Sequence, residues 1–369
     1  MIVKPKGSLI SFMANKVKAK GGINLAQGIP AFDPPEELLH LLSKAAFEKI
    51  HQYAPGKGIA SLLQQLALNY NICQDNFLVV NGATEAISTI FTYLLKENPG
   101  SAVLTFSPAY ESYKHLPRLF NVPFYTQAIA SKINFSSFEK QCSDNNIKIV
   151  LLASPGNPLG RIFTKAEIIN IIEITKRHNA YVIIDAVYSD LYFEDKPYYP
   201  INNISENVFY VNAFSKKLSI TGWRIGYLLS HEKHMAALMD VHDYIGLSSP
   251  SVLQHALAEY LRVSNFGKDY CSELRANLKT NYYQMKHALI ELGFKVIDGQ
   301  GGYFIWAKLP VKFTSGFDFA IELYEQQKVA IVPGIHFDET GEQYIRLNIA
   351  RYPYEIDMAI EKIKNFINT

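Results

Sequence analysis

Short, continuous runs of apolar residues recur through the middle of the chain, and each has about the length of one β-strand. The runs cover residues 77–80, 102–106, 147–153, 181–184 and 208–211. Because the apolar residues are consecutive rather than alternating with polar ones, we expect strands that are buried on both faces of a sheet.

Helical patterns lie between several of these runs. Residues 84–95 repeat apolar side chains at the 3.6-residue spacing of a helix. Thr164 and Glu167 have the spacing of a capping box and precede an isoleucine-rich helix. Strands that alternate with helices predict an α/β fold, with a mostly parallel, doubly wound sheet and right-handed crossovers.

The pattern changes at about residue 249, where longer helices and shorter strands begin. The predicted helices are 252–261, 270–292 and 354–367, and the predicted strands are 303–309, 329–332 and 344–349. This order is typical of a smaller α+β domain. We therefore predict a large domain over residues 36–250, and a small domain formed by residues 1–35 and 251–369.

Composition narrows the possible classes of protein. The 369 residues are 48% hydrophobic and 19% charged, with a formal net charge of +2, so a large core is available and no basic surface for nucleic acid is expected. No apolar run approaches the roughly 20 residues of a membrane span, and the first residues lack a signal-peptide pattern. Three cysteines without metal or redox spacing favour a reducing compartment, so we expect a soluble, cytoplasmic protein.

Residues 212–227 carry the most specific chemistry in the chain. Lys216 follows an apolar run, and Arg224 lies in a turn between two glycines. A lysine amine can form a Schiff base with an aldehyde, and an arginine fork matches the oxygens of a phosphate. The segment resembles the cofactor-lysine signature of class I/II aminotransferases, which are fold-type-I pyridoxal-phosphate enzymes. The resemblance implies pyridoxal 5'-phosphate as cofactor, Lys216 as its Schiff-base lysine and Arg224 as a phosphate ligand.

Ligands of doubly wound sheets bind beyond the carboxyl ends of the strands, so the residues that follow each predicted strand are candidate ligands. Residues 81–85 open a helix whose amide groups suit a phosphate, which makes Gly82, Ala83 and Thr84 candidate ligands. Thr84 could equally be an ordinary N-cap. Tyr110 follows the next strand, where the family places the aromatic ring that stacks on the cofactor; a packing role is the alternative.

The next two strand ends supply an amide and a carboxylate. Asn157 lies in a turn that resembles the family's Asn-Pro-x-Gly sequence, which implies donation to the hydroxyl of the cofactor ring. Asp185 ends a buried strand, where a carboxylate is costly unless paired, and a protonated pyridine nitrogen would be a partner. Asp185 and Tyr188 match the family's Asp-x-x-Tyr, and this implies that Tyr188 also reaches the ring hydroxyl.

Further matches lie outside the predicted sheet. Arg346 stands in an apolar run, and the resemblance implies that it binds the α-carboxylate of the substrate; pairing with an internal acid is the alternative. Gly28 falls where the family brings its backbone close to that carboxylate, although a simple turn is equally plausible. Tyr53 matches a tyrosine that reaches the phosphate of the neighbouring subunit, which implies a homodimer with shared active sites.

One position departs from the family pattern. Ala213 stands three residues before the lysine, where the family commonly has a hydroxyl group that binds the phosphate. Ser215 and Lys217 are the candidates to replace that hydroxyl. We expect the cysteines to be packing residues, and His231 and His234 to mark a solvated helix start rather than a metal site.

The resemblance is closest to the methionine-, glutamine- and kynurenine-type transaminases. It implies transfer of an amino group between an L-amino acid and a 2-oxo acid. No second cation is evident for a side-chain carboxylate, which favours methionine, glutamine or aromatic donors. The alternatives are a cysteine-conjugate β-lyase with the same cofactor, an aspartate-type aminotransferase, and the ligand-sensing domain of a transcription regulator. The last would need a DNA-binding module, for which about 35 residues ahead of the large domain leave no room.

Overall fold

The computed structural model describes residues 5, 7–129, 132–202 and 204–368. The strands are β1 Ile23–Asn24, β2 Phe77–Val80, β3 Ala102–Ser107, β4 Phe124–Ala128, β5 Ile147–Ala153, β6 Tyr181–Asp185, β7 Val208–Ala213, β8 Gly226–Ser230, β9 Lys295–Ile297, β10 Phe304–Lys308, β11 Val329–Ala330, β12 Val332–Pro333 and β13 Tyr344–Asn348. The helices are α1 Leu9–Lys20, α2 Glu36–Ala45, α3 Ala60–Tyr70, α4 Ala83–Glu97, α5 Glu111–Leu119, α6 Phe135–Asp144, α7 Lys165–Arg177, α8 Phe214–Lys217, α9 Glu232–Ile245, α10 Ser251–Val263, α11 Lys268–Glu291, α12 Gly316–Gln327 and α13 Pro353–Asn368. Two 3₁₀ turns cover Gln74–Asn76 and Gly334–His336.

Within the described residues, seven strands form the central sheet in the order β2-β8-β7-β6-β5-β3-β4. Strands β3 to β7 run parallel to one another, and β8 is antiparallel to both of its neighbours. Each of the five predicted apolar runs is a strand of this sheet. Helices cover the sheet, and β2, β3, β7 and β8 consist of buried residues, as continuous apolar runs require. The predicted α/β class is confirmed.

Local sequence explains where two of the helices begin. The capping box at α7 is present: the Thr164 side chain accepts from the Glu167 amide, and the Glu167 side chain accepts from the Thr164 amide. Helix α4 begins after Gly82, whose φ is +84°. The alternative interpretation of Thr84 as an N-cap is therefore wrong, because Thr84 is already the second residue of the helix.

The carboxyl-terminal part of the chain builds a second, smaller set of strands. In it β12, β13, β10 and β9 form an antiparallel sheet, and β11 pairs with the amino-terminal β1. The single strand predicted at residues 329–332 is instead two short strands, because the chain changes its pairing partner at Ile331. None of the helices formed by the described residues is long and apolar enough to cross a bilayer.

The packing of α10 bears on the predicted domain boundary at residue 250. The apolar side chains of this helix, among them Leu257 and Leu261, share one hydrophobic cluster with Leu62 and Leu66 of α3. The helix therefore packs with the elements that were predicted to form the large domain. We propose that the large domain extends through α10, and that the small domain begins with the long helix α11.

Candidate active site

The carboxyl ends of β3, β5, β6 and β7 and the end of β2 border a cavity of about 460 Å³. The predicted site residues that line this cavity are Gly28, Ala83, Thr84, Tyr110, Asn157, Asp185, Tyr188, Ser215, Lys216, Arg224 and Arg346. Two predicted residues, Gly82 and Tyr53, are not among its lining residues. The fold thus brings side chains together that are more than 300 residues apart in the sequence.

Lys216 extends into the cavity from the one-turn helix α8, which directly follows β7. Its ammonium group donates a hydrogen bond to the carbonyl oxygen of Gly28. Burial, together with the positive charges of Arg346 and Arg224, lowers the pKa of Lys216 to about 8. A larger fraction of this amine is therefore uncharged near neutral pH than for an ordinary lysine, and the uncharged amine is the form that attacks a carbonyl.

Asp185 is held at the end of β6 by two hydrogen bonds. Its Oδ2 accepts from the Tyr113 hydroxyl at 2.6 Å, and its Oδ1 accepts from the Val187 amide at 3.1 Å. Burial raises the pKa of Asp185, while these hydrogen bonds and the charge of Lys216 oppose that shift. A buried carboxylate in this state gains stability from a cationic partner.

Tyr113 was not predicted from the sequence, although it contacts the central carboxylate. It lies three residues after Tyr110, and the two rings meet edge to face with their centroids 5.8 Å apart. Tyr110 is the N-cap of α5 and Tyr113 lies in its first turn, so a second tyrosine this close to the end of β3 was the available signal.

Arg346 lies fully buried in β13. One guanidinium nitrogen donates to Asn157 Oδ1 at 2.9 Å and another donates to the carbonyl oxygen of Ala26. The rings of Phe304 and Phe337 lie 4.1 and 4.8 Å from the guanidinium carbon. Burial lowers the pKa of Arg346 to about 10.

No described acidic residue forms an ion pair with Arg346, so the alternative of pairing with an internal acid is not what the structure shows. A buried cation without an anion is costly, and the site would be stabilised by a carboxylate ligand. Because Asn157 accepts from Arg346 through its oxygen, its amide nitrogen remains available to donate to another ligand.

Arg224 and Gly82 form a cradle at the beginning of α4. Arg224 has φ +58°, and its guanidinium donates to the carbonyl oxygens of Thr221 and Asn81 at 3.1 and 3.0 Å. A Cβ atom at Gly82 would lie only 2.4 Å from Arg224 Nη2, so the approach requires glycine. The amides at the helix start and the guanidinium together suit an anion.

Of Ser215 and Lys217, the two candidates to replace the hydroxyl missing at Ala213, only Ser215 lines the cavity. Ser215 Oγ is buried, lines the cavity and has no hydrogen-bond partner among the described residues. Lys217 is only 2% exposed; its Nζ lies 3.1 Å from Asp190 Oδ2 and 4.3 Å from the centre of the Phe266 ring. Lys217 is thus held inside the protein, which leaves Ser215 as the candidate to replace the missing hydroxyl.

Gly28 and Tyr188 adjoin the same aromatic wall. The buried Tyr188 ring packs edge to face against Tyr303 and Phe304, and burial raises the pKa of Tyr188 well above its ordinary value. A Cβ atom at Gly28 would lie 2.9 Å from Phe304 Cζ and 3.8 Å from the Tyr188 hydroxyl. Close approach to the wall therefore requires a glycine, rather than a turn alone.

Tyr53 is 82% exposed and lies outside the cavity. Its loop passes beside the end of α9, where a Cβ atom at Gly56 would lie 2.8 Å from Asp243 Oδ1. Contact of Tyr53 with a phosphate would need a second subunit, so the assignment stays a prediction.

The histidines and cysteines to which the sequence analysis gave no chemical role differ in their burial. His231 caps α9 as expected, but His234 is fully buried between the Tyr93 hydroxyl and the Glu206 carbonyl oxygen, so the expectation of a solvated position was wrong for it. Cys142 and Cys271 are buried, whereas Cys73 is exposed and is not a packing residue. Across the described ranges, no group of three or more His, Cys, Asp or Glu side chains could hold a metal.

Comparisons with known proteins agree with this geometry. The sequence model of the family described as aminotransferase class I and II matches residues 20–363. Aspartate aminotransferase of Thermotoga maritima is 28% identical over 95% of this chain and 93% of that protein. N-succinyldiaminopimelate aminotransferase from Mycobacterium tuberculosis superposes with a TM-score of 0.90 at 24% identity, covering 99% of this chain and 100% of that one. YbdL from Escherichia coli, for which a methionine aminotransferase function is reported, superposes with a TM-score of 0.89 at 25% identity and the same coverage.

These three proteins are named for different amino acids, so likeness to them leaves the amino donor open. The similarity extends along nearly the whole length of every chain compared, and the sheet order and the second set of strands agree with a fold-type-I enzyme. The chain therefore belongs to the class I and II aminotransferases.

Proposed function

We propose that this aminotransferase uses pyridoxal 5'-phosphate, the cofactor of its family, to move an amino group between an L-amino acid with an uncharged side chain and a 2-oxo acid. The supporting observation is one cavity that holds Lys216, the buried Asp185 and two arginines, neither of which forms an ion pair with an acid in the part of the chain that the structure describes. A ligand with an aldehyde, a basic ring nitrogen and an anionic group would match each of these features.

The residues present fit the cofactor at both of its ends. Arg224, the helix start at Gly82, Ala83 and Thr84, and the unpartnered Ser215 hydroxyl would hold the phosphate. Asp185 would pair with the protonated ring nitrogen. The remaining ring contacts in this proposal come from Asn157, Tyr188 and Tyr110. When bound, the cofactor supplies an electron sink for the charge left on the substrate α-carbon.

Lys216 and Arg346 would act on the substrate itself. The Arg346 fork, fixed between two aromatic rings, would bind the α-carboxylate and so orient the α-carbon. The Lys216 amine, with a pKa of about 8, would accept the α-proton of the substrate as a general base. It would then supply that proton in the reprotonation that follows.

The wall of the cavity supports an uncharged donor. Beyond the residues already assigned, the lining is largely apolar, with Ile10, Ile29, Ile87 and Leu116 among its members. Among the described lining residues no further lysine or arginine remains for a side-chain carboxylate. This favours methionine, glutamine or aromatic donors over aspartate.

We also propose a homodimer in a reducing compartment such as the cytoplasm. The homodimer rests on the match of Tyr53 to the family pattern. Tyr53 is 82% exposed in the single chain, so its side chain is available to a second subunit. The three cysteines are unpaired, which suits a reducing environment.

Borohydride reduction followed by peptide mapping tests the cofactor assignment directly. Reduction of the protein loaded with pyridoxal phosphate should fix the cofactor on Lys216. The adjacent Lys217 is the internal control, because its amine is held by Asp190. A label on Lys217 or on another lysine would contradict the proposal.

A panel of amino donors with several 2-oxo acids then tests the donor class, and release of pyruvate and ammonia from a cysteine conjugate would indicate the β-lyase alternative.

A further inference from the structure

Glu111 is a charged residue of the cavity to which the proposed chemistry gives no role. It is the first residue of α5, directly after Tyr110, and it lines the cavity. Its Oε1 accepts from the Ser8 hydroxyl at 3.0 Å, and its Oε2 lies 3.1 Å from His336 Nε2. These partners come from the N-cap of α1 and from the 3₁₀ turn after β12.

Three separate segments thus meet at one carboxylate on the cavity wall. The Leu9 amide also lies 3.4 Å from His336 Nδ1, which joins the two partners of Glu111 to each other. Ile10, the next residue of α1, lines the cavity beside this junction. The carboxylate is therefore fixed in place, and it cannot swing away from a ligand without breaking both contacts.

Among the described lining residues, Glu111 is the carboxylate that neither the proposed cofactor nor the substrate α-carboxylate uses. Lys216, Arg224 and Asp185 face the proposed cofactor, and Arg346 faces the α-carboxylate. Burial alone would raise the pKa of Glu111, but the interactions with His336 and Ser8 bring it below its ordinary value. The carboxylate is consequently ionised throughout the neutral pH range. The described titratable lining residues nearest to Glu111 in the sequence are Tyr110, Tyr113 and His115, and His115 is exposed on the next turn of α5.

We propose that Glu111 is a specificity-determining residue, whose fixed negative charge on the cavity wall disfavours amino donors with an anionic side chain and leaves neutral side chains unaffected. The inference rests on the proposed function, since it concerns the donor of that same reaction. A like charge repels an anionic side chain and not a neutral one, and salt screens part of this repulsion because Glu111 is only half-buried. Glu111 also interacts with Arg346, but that effect is common to every donor and cancels in a ratio of two donors.

The test compares kcat/KM for glutamate and for methionine in the wild-type protein and in Glu111→Gln. Glutamine keeps the shape and can still accept from Ser8, so the substitution removes mainly the charge. We expect the glutamate-to-methionine ratio of kcat/KM to rise about tenfold, a typical size for the loss of one repulsive contact.

Two control variants separate charge from position. Glu339→Gln removes an exposed acid that pairs with Lys114 and does not line the cavity. Ser8→Ala removes one hydrogen bond to Glu111 but leaves its charge. Both should leave the glutamate-to-methionine ratio within about twofold of wild type. If Ser8→Ala changed the ratio as much as Glu111→Gln does, the inference would be overturned. The position of the α5 side chains, and not the charge of Glu111, would then determine the preference between donors.

An unchanged ratio in Glu111→Gln, or a wild-type protein that prefers glutamate to methionine, would also overturn the inference. A preference of the wild-type protein for glutamate would also overturn the uncharged donor of the proposed function, whereas an unchanged ratio would not. Transamination with pyridoxal phosphate would survive either result, since it fails only if no donor is turned over or pyridoxal phosphate does not attach to Lys216. If Glu111→Gln does not fold, raising the salt from about 0.05 to about 0.5 M with the wild-type protein should itself raise the ratio by screening the repulsion. A salt-independent ratio would count against the charge.

Discussion

The two arginines of the cavity are set in opposite surroundings. Arg224 is exposed, has a left-handed backbone and is backed by a glycine, whereas Arg346 is buried in a strand between two aromatic rings. The first costs little to keep charged and owes its position to backbone geometry. The second is held rigidly but carries the cost of burial until an anion arrives. An exposed cation suits a ligand that stays bound, and a desolvated one suits a substrate that must be oriented at each turnover.

Asp185 belongs to the end of the cavity that would hold the cofactor, and Asp185→Asn should have the largest effect. A neutral amide cannot keep the ring nitrogen protonated, so we expect turnover to fall by about 10²–10³ while the cofactor stays bound. Stopped-flow rates and absorbance spectra measure the two quantities. Asp195→Asn, at an exposed position on a loop, is the control. Turnover within a few-fold of wild type would show that Asp185 is not the partner of the ring.

Arg346→Lys tests the buried side of the comparison. A lysine presents a point charge rather than a fork, so KM for amino and oxo acids should rise by about 10- to 100-fold, with cofactor occupancy unchanged. Arg351→Lys is the control, because Arg351 pairs with Glu355 on α13 and does not line the cavity. Loss of cofactor with an unchanged KM would mean that Arg346 serves the other end of the cavity.

Ser215→Ala tests whether its unpartnered hydroxyl replaces the one missing at Ala213. The affinity of the apoprotein for pyridoxal phosphate should fall about 10- to 100-fold, the loss expected for one hydrogen bond to a charged group. The affinity for pyridoxal without the phosphate should not change. Both can be measured by absorbance titration, without any turnover.

Two further variants complete this test. Ser88→Ala is the matched control, since Ser88 lines the same cavity but donates to the Thr84 carbonyl oxygen. Adding Ala213→Ser to Ser215→Ala should restore the affinity for pyridoxal phosphate. Equal losses for both ligands would show that the Ser215 hydroxyl does not contact the phosphate.

Tyr53→Phe should have the smallest effect. If Tyr53 reaches the phosphate of a second subunit, the cofactor affinity should fall by about 0.5–1.5 kcal/mol, the net contribution of one hydrogen bond. Tyr244→Phe, which also alters an exposed tyrosine outside the cavity, is the control. Sedimentation should show a dimer at working concentrations, and a fully active monomer would exclude shared sites.

The sequence predicted the cavity residues well where chemistry lies at the end of a strand. Asp185 and Lys216 each follow an apolar run, and the parallel sheet brings such ends together by its topology alone. The two links of Asp185 to Tyr113 and of Glu111 to Ser8 were not predicted, because they depend on where α5 lies against distant segments. The local sequence pattern of α5 does not indicate which distant segments it packs against.

Contacts between distant segments also explain two features that the sequence patterns did not predict. The burial of His234 follows from partners 141 and 28 residues away, and the packing of α10 depends on a helix near the amino terminus. The periodicity of α10 identified it as a helix, but it could not show which domain the apolar face would join. The error at His234 and the proposed shift of the domain boundary both concern the choice of partner rather than the type of element.

Lys216 and Lys217 extend from the same helical turn in different directions, since successive residues of a helix are rotated by about 100°. One reaches the cavity and the other an aspartate in the interior. Which amine reaches the cavity therefore depends on the register of α8 after β7 as much as on the presence of a lysine. Inserting a single residue between Ala213 and Phe214 would place Ser215 where Lys216 now stands, and it would silence the enzyme while leaving both lysines in place.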